Sequence, residues 1–519
     1  MTIREVLARV AALMPVGGLD ALPAAVLDRG VTGVTPDSRR HVQGALFVGL
    51  RGQRADGAAF AEQAVAHGAV AVIAETPAPR PIAAPWFVVP DARLALAECA
   101  AACYRDPADE LLTVGVTGTN GKTTTTYLLA SIFDAAGYRC GRIGTVGYRI
   151  GLVEHESSRT TPEAPDLQRM LREMVEARCT ACAMEVSSHA LALRRVDRMR
   201  FSAAVFTNLT RDHLDFHHGM EEYFQAKRRL FDLRAPGAPA IVNVDDHYGA
   251  RLAEEVDGAL TFALDRPADV TLHGLALSMH GLSGEIRTPR GPLRLQSAMV
   301  GRPNASNILA AAATAIALEL PPAAIAQGIA ATGSVPGRFQ VVSEAADDVA
   351  VVVDYAHTDD ALRNLLETAR PLTRGRVVTV FGCGGDRDRA KRPLMGAVAA
   401  RLSDRVVLTS DNPRSEDPLE IIEEIKRGLV PPERPAARHA QPVPPVRAAS
   451  WVAWPDRREA IEHAVLEADA GDLVLIAGKG HEKTQTIGDK VLPFDDVAVA
   501  REVLAARRRA RVRVPGGAA

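Results

Sequence analysis

Residues 114–126 read VGVTGTNGKTTTT, and Gly118, Gly121, Lys122 and Thr123 fall in the order G-x-x-G-K-T. Before them, Leu111 to Val116 is apolar and β-branched, as a buried parallel strand is. After them, Thr123 to Ala136 carries helical spacing that stops at Gly137. Strand, tight loop and helix aim the loop amides and the positive end of the helix at one point, which suits an anion. The glycines admit close backbone approach, Lys122 adds a full charge, and the Thr123 hydroxyl is placed to ligate a magnesium ion travelling with a polyphosphate. The chemistry these residues can do is therefore nucleotide phosphate binding. The usual spacing puts a glycine where Val116 stands, so the loop is of an uncommon type. The plainer alternative is a Gly-rich turn with a solvated lysine.

The chain that must position this loop has 519 residues, long for one domain at about 100–200 residues each, and its 47% hydrophobic content suffices for several cores. Lys plus Arg number 61 against 63 Asp plus Glu, a net charge of −2, so nothing draws the whole chain to nucleic acid or membrane and any anion is met locally. The first residues, MTIREVLARVAALMP, lack a basic run leading to an apolar stretch and a cleavage site. The longest apolar runs, such as Ile308 to Leu318, are too short to span a bilayer. A cytoplasmic monomer acting on small molecules is expected. Cys179-x-x-Cys182 leads into an apolar strand with no second pair to complete a zinc site. Cys99 and Cys103, one helical turn apart, belong to a packing face.

Residues 1–90 alternate short β-type runs with turns, with polar groups at Asp37, Ser38, Arg39, Gln53 and Arg54. Residues 91–336 hold a helix at Asp91 to Tyr104 and apolar strands at Cys182 to Val186, Arg200 to Thr207 and Ala238 to Val244. Residues 337–519 hold strands at Val349 to Val353, Arg376 to Phe381, Val406 to Thr409 and Leu473 to Ala477. The fold class is α/β in three domains: a small N-terminal one, a central phosphate-loop ATPase-like domain on a parallel or mixed sheet, and a Rossmann-like C-terminal one. Open parallel sheets bind ligands beyond the carboxyl ends of their strands, so the residues after each strand matter most. In the central segment these are Glu185 with Ser187, Ser188 and His189, then TNLTRDHLDFH with Asn208, Asp212, His213 and Asp215. Either group could hold magnesium. In the last segment they are DYAHT at 354–358, GCGGDRD at 382–388, SDNPRSE at 410–416 and GKGHE at 478–482. Turn chemistry explains their Gly, Asn and Asp but not the repeated Arg and Lys. Two polar sheet edges imply a reaction in the cleft between them. Taken alone, Lys227 reads as a solvated lysine on an amphipathic helix, and Asn304 and Asn307 as capping amides. Pro431 to Pro455, proline-rich with two tryptophans, reads as a long surface loop or hairpin extension, and the basic tail as a fraying helix end.

Together, GTNGKT, MEVSSH, TNLTRDHLD, the lysine of YFQAK, GRPNASN, PGRF, DYAH, GCGGDRD, DNPR and GKGHE resemble the Mur ligase family along nearly the whole chain. The resemblance accounts for the phosphate-loop spacing, which that family shares. It implies an ATP-dependent, ADP-forming ligase that uses magnesium. The carboxylate of a UDP-muramoyl dipeptide attacks the γ-phosphate of ATP, and an amine then displaces phosphate from the acyl phosphate. ATP contacts are implied for Gly118, Thr119, Asn120, Gly121, Lys122, Thr123, Thr124, Asn304, Arg338, Asp354 and His357. Catalytic roles fall to Lys122, Glu185, His213 and Lys227. Thr123, Glu185, His213 and Lys227 are the implied metal ligands, the lysine as a carbamate, N6-carboxylysine. Ser38, Gln53, Arg54, Thr160, Thr161, Ser187 and Arg195 map onto positions that bind the UDP-sugar dipeptide, and Arg392, Asp411, Asn412, Pro413, Arg414, Gly478 and Glu482 onto the amino-acid pocket.

In the family, the arginine-bearing DNPR loop goes with meso-diaminopimelate. Arg414 can grip, through two parallel hydrogen bonds, the carboxylate that distinguishes this amino acid from lysine. The expected reaction is its addition to UDP-N-acetylmuramoyl-L-alanyl-D-glutamate in peptidoglycan precursor synthesis. The alternatives are the same reaction with L-lysine, a folylpolyglutamate-synthase-type ligase, and a phosphate-loop kinase or NTPase. The chain departs from relatives at Pro36, Arg159 and Asp359, outside the phosphate and diaminopimelate motifs.

Overall fold

The computed structural model describes residues 1–10, 23–41, 43–52, 55–157, 159–429 and 449–512. Gln53, Arg54, most of the proline-rich stretch and the end of the basic tail lie outside these. The strand Leu112–Thr117 is buried along nearly its whole length because both faces of its sheet are covered. It pairs in parallel with Ala181–Glu185 on one side, Val116 opposite Glu185, and with Ala203–Phe206 on the other, Thr117 opposite Phe206. These registers bring Glu185 and the TNLTRDH loop to the edge where the chain leaves Thr117.

The parallel run continues outward to Cys140–Ile143 on one flank and through Ala240–Asn243 and Leu260–Ala263 to Val270–Ser278 on the other. Antiparallel strands finish both margins of this 11-stranded sheet. The outer pair Gly281–Thr288 and Gly291–Ser297 is a hairpin whose alternating burial shows one face packed and one in solvent. Helix Arg302–Ala317 is buried around most of its circumference, and its alanines let it lie close against helix Lys122–Ala135 and the sheet.

The second sheet runs 340–341, 350–354, 473–477, 377–381, 405–408, 450–453 and is parallel except for its first strand. Asp354 lies beside Ala477 and Phe381 beside Leu408, so the four loops read from the sequence do leave one edge. Ser450–Ala453, placed by the sequence reading in a surface extension, is instead the parallel edge strand of this sheet, paired with Arg405–Leu408. Prolines before it masked a short β-type run. A small all-parallel sheet, 33–35, 45–49, 71–74 and 86–88, makes the N-terminal unit. Helix Ala92–Cys103 packs on it, with Cys99 beside Leu46 and Ile73 in one core. Cys179 and Cys182 are buried free thiols. No helix among the described residues is long and apolar enough to cross a membrane.

One buried ion pair fixes the second sheet's working edge. Arg457 and Asp496 are fully buried and bonded side-on at 2.8 and 2.7 Å. The same guanidinium donates to the carbonyls of Ser410 (3.3 Å) and Ala477 (3.0 Å), the residues just before Asp411 and Gly478. Asp496→Ala leaves that guanidinium uncompensated, so we expect unfolding of the C-terminal domain to become easier by about 3–5 kcal/mol in a urea titration. A loss below about 1 kcal/mol would show the pair to be incidental.

Candidate active site

Beyond Thr117 the chain turns through Gly118 (φ 149°) and Gly121 (φ 88°) into helix Lys122–Ala135. Space as well as backbone demands these glycines. A Cβ on Gly118 would lie 1.9 Å from Thr207 Oγ1, and one on Gly121 would lie 2.3 Å from Asn307 Oδ1. The neighbouring strand end braces the loop. Thr207 Oγ1 donates to the Asn120 carbonyl (2.6 Å), and Asn208 accepts from the Thr119 N–H at its carbonyl and the Asn120 N–H at Oδ1, both at 2.9 Å.

Lys122 Nζ donates to the carbonyls of Gly118 (2.8 Å) and Thr119 (2.7 Å), and Lys227 Nζ donates to the same Gly118 carbonyl at 2.7 Å. Lys227 is wholly buried on helix Met220–Asp232, which corrects its reading as a solvated lysine. Burial, aided by the charge of Lys122, drives the Lys227 amine well below the ordinary lysine value. Burial also lowers Lys122, opposed by Glu185 and Asp212.

A cavity of about 290 Å³ opens over the loop. It is lined by Thr119 to Thr124, Glu185, His213, Lys227 and Asn304 from the central domain, and by Arg338, Asp354 and His357 from the C-terminal one. Gly118 lies beneath, its carbonyl turned to the two lysines. Glu185 is aimed by Thr145, whose N–H (2.8 Å) and hydroxyl (3.0 Å) each bond one carboxylate oxygen. His213 adopts a left-handed backbone (φ 53°) and meets His189 edge-on at 4.8 Å. Partial loss of surrounding water lowers its imidazole pKa, against the pull of Asp212, although 44% of the side chain stays exposed.

Among the described residues no three of His, Cys, Asp and Glu form a metal cluster. The donors facing the cavity include the Thr123 hydroxyl, the Glu185 carboxylate, the His213 imidazole and the Lys227 amine, with the carboxylates of Asp212 and Asp354 also in the lining. Hydroxyl and carboxylate suit a hard cation, and an amine converted to a carbamate would complete an oxygen-rich set. Across the domains, Arg338 Nη2 donates to Thr123 Oγ1 (3.2 Å) and Asn120 Nδ2 to Asp360 Oδ2 (3.3 Å).

A second cavity, about 460 Å³, shares the wall of Asp212, His213, Tyr355, His357 and Thr358 with the first. Asp411, Asn412, Arg414, Gly478 and Glu482 line it, together with Arg387, Asp388 and Lys391. Arg414 sits in the left-handed region (φ 53°), a strain of about 1 kcal/mol or more. Backbone bonds to the following hairpin hold it there: its N–H to the Thr486 carbonyl (3.1 Å), and the Gly488 N–H to its own carbonyl (2.6 Å). Arg392 and Pro413 do not line this cavity. Arg392 is fully buried, bonded to both oxygens of Glu416 (2.9 and 2.8 Å) and to Glu424 (2.8 Å), and it holds Glu416 down to about 2. It braces the loops from behind.

A third cavity, about 1210 Å³, lies between the N-terminal sheet and the central domain. Ser38 and Arg195 line it, and Thr160 and Ser187 line the first cavity instead. Thr161 is buried and braces the Glu185 carbonyl at 2.9 Å. Arg40, Arg93 and Arg169, which no motif marks, join Arg39 and Arg159 in the third cavity. They come from separate segments and carry no spacing signal. Arg457 and Lys479 were missed too, because a charged residue beside a polar loop reads as solvated until its burial is seen.

Three domain families match the chain: Mur ligase family, catalytic domain, over residues 30–104; Mur ligase middle domain over 116–315; and Mur ligase, glutamate ligase domain, over 337–480. A Gloeobacter violaceus protein called UDP-N-acetylmuramoyl-L-alanyl-D-glutamate--2,6-diaminopimelate ligase is 46% identical over 509 residues, covering 98% of this chain and 99% of its own. A Solibacter usitatus protein of the same name is 48% identical over 477 residues, 91% and 93% of the two chains. A solved structure of a ligase of that name superposes with TM-score 0.66 at 32% identity, covering 98% of this chain and 99% of that one. The MurF structure from Acinetobacter baumannii shares the fold, with TM-score 0.63 at 20% identity over 98% of each chain.

The crowding at Gly118 can be checked directly. Gly118→Ala, with its Cβ 1.9 Å from Thr207 Oγ1, should weaken ATP binding in calorimetry by about tenfold or more. Gly219→Ala, with nothing within 4 Å of the new Cβ, should leave it unchanged. Equal effects would show that loop crowding is not what requires Gly118.

Proposed function

The chain belongs to the Mur ligase family, and on that premise we propose that it adds meso-diaminopimelate to UDP-N-acetylmuramoyl-L-alanyl-D-glutamate. ATP becomes ADP and phosphate, and the place is the cytoplasmic assembly of peptidoglycan precursors. The observation that carries the reading is the shared wall between the phosphate cavity and a second cavity rich in paired charges. An NTPase needs no second chamber, and a kinase needs one for its acceptor rather than the two further cavities found here.

The parts suit a reaction in two steps. The third cavity, with its cluster of arginines, fits a diphosphate, and Thr160 and Ser187 mark where the peptide end would enter the phosphate cavity. The glutamyl carboxylate attacks the γ-phosphorus, the bond to ADP breaks, and an acyl phosphate forms. The amine of the amino acid, held across the shared wall, attacks the acyl carbon. Phosphate leaves, and the nitrogen gives up a proton. No protein nucleophile is used, so the residues act by holding and by offsetting charge. Lys122 offsets phosphate charge, and Arg338 reaches over Thr123 from the C-terminal domain. Thr123, Glu185, His213 and a carbamate on Lys227 would hold magnesium, which neutralises charge developing on the phosphoryl group. The lowered basicity of Lys227 supports the carbamate, because only a neutral amine adds to carbon dioxide.

Arg414, Arg387 and Lys391 favour an amino acid with a second carboxylate. Phosphate release should require both the UDP-dipeptide and meso-diaminopimelate, and L-lysine should be poorer by at least about a hundredfold in kcat/KM, because it leaves the arginine fork unpaired. Release without the amino acid, or a preference for lysine, would overturn the proposal. Intact-protein mass spectrometry of active enzyme in bicarbonate buffer should show the mass of one carbon dioxide on Lys227. Lys227→Ala should lower kcat by about a hundredfold or more. An unmodified Lys227 in fully active enzyme would count against the carbamate.

A further inference from the structure

Behind the second cavity stands a lysine that no solvent reaches. Lys479, fully buried within GKGHE, donates to Asn412 Oδ1 (3.2 Å), Glu482 Oε2 (3.1 Å) and the Thr484 carbonyl (2.6 Å). An ammonium has three hydrogens to give, and all three are used. The acceptors are then constrained in turn. Asn412 Oδ1 also takes the Thr486 N–H (2.9 Å), and its Nδ2 donates to Glu482 Oε2 (2.8 Å). Turning that amide over would set its NH₂ against two donors, so it is locked. Glu482 Oε2 is saturated by Lys479 and Asn412. Glu482 Oε1 takes no hydrogen bond from any described residue, and Glu482 lines the cavity. Lys479 offsets the charge of Glu482 from behind, and Asp388 and Asp411 add further carboxylates to the same lining, which suits a cation beside Glu482.

We propose that Lys479 is a positioning residue for amino-acid recognition. It fixes Asn412 and Glu482 as a rigid pair whose remaining carboxylate oxygen, Glu482 Oε1, receives an ammonium group of the incoming amino acid. The inference rests on the functional reading above for the identity of that amino acid. Lys479 itself touches no substrate, so its removal affects amine recognition and not phosphate activation. That separates it from Lys122, whose loss stops the first step.

The test uses the full-length enzyme with Lys479→Met, which keeps length and removes charge and donors. The KM for meso-diaminopimelate should rise at least tenfold. The KM values for ATP and the UDP-dipeptide should stay within twofold, and dipeptide-dependent exchange of label between ADP and ATP, which reports acyl phosphate formation without the amine, should persist. Because Lys479 acts through Glu482, adding Lys479→Met to Glu482→Gln should raise that KM no further than Glu482→Gln alone. Lys479→Arg, keeping charge and donors, should recover part of the affinity. Should Lys479→Met not fold, the same split is read on Lys479→Gln. An unchanged diaminopimelate KM, an equal loss for all three substrates, or additive effects in the double variant would overturn the inference. Failure of the functional reading would look different: the unmodified enzyme would not ligate meso-diaminopimelate at all.

Discussion

Lys122 and Lys227 donate to one carbonyl oxygen, that of Gly118, in the floor of a cavity. Burial lowers the proton affinity of both amines, and the charge of Lys122 lowers that of Lys227 further. Much of the site can be understood as supplying the missing negative charge. Glu185 arrives by strand register opposite Val116, Asp212 by the loop after the next strand, and in the proposed reaction a triphosphate and a carbamate bring the rest. The glycines follow from the same crowding, since Thr207 and Asn307 fill the space on either side of the loop. A lysine that would be unremarkable on an exposed helix becomes a buried amine of lowered basicity because its helix lies against this floor.

In the proposed reaction, activation and selection are divided between two sheets. The central sheet holds the residues suited to phosphate chemistry, and the C-terminal sheet gathers the loops that line the neighbouring cavity. They meet at Asp212, His213, Tyr355, His357 and Thr358. Two side-chain bonds that cross between the domains here, Arg338 to Thr123 and Asn120 to Asp360, are each worth only about 0.5–1.5 kcal/mol net. Such contacts are weak enough to break and remake, as closure of one domain onto a nucleotide requires. Within the C-terminal domain the construction is stiffer. Arg457, Arg392 and Lys479 are buried cations that tie the loops together from below.

Local chemistry made much of this legible. GTNGKT could be read as a phosphate loop because strand, glycine, lysine and helix follow one another within a few residues. The four C-terminal loops could be assigned to one edge because parallel strands all finish there. Lys227 could not be read that way. Its spacing is that of any amphipathic helix, and only the resemblance to a family raised it above a surface lysine. Arg392, Arg457 and Lys479 show the same limit, since burial of a charge is decided by partners far along the chain, such as Glu416, Asp496 and Asn412. The edge strand Ser450–Ala453 was hidden by the prolines before it, and the arginines of the third cavity by their scatter through the sequence.

The acyl phosphate is the step on which the division between the two sheets depends, and isotope transfer tests it most directly. The UDP-dipeptide is prepared with a heavy oxygen isotope in its glutamyl carboxylate and turned over with ATP and meso-diaminopimelate. If that carboxylate attacks the γ-phosphorus, one labelled oxygen leaves with each inorganic phosphate, and mass spectrometry of the phosphate will show it. Phosphate without label would mean that water attacks ATP, or that the carboxylate is activated in some other way, and would contradict the mechanism.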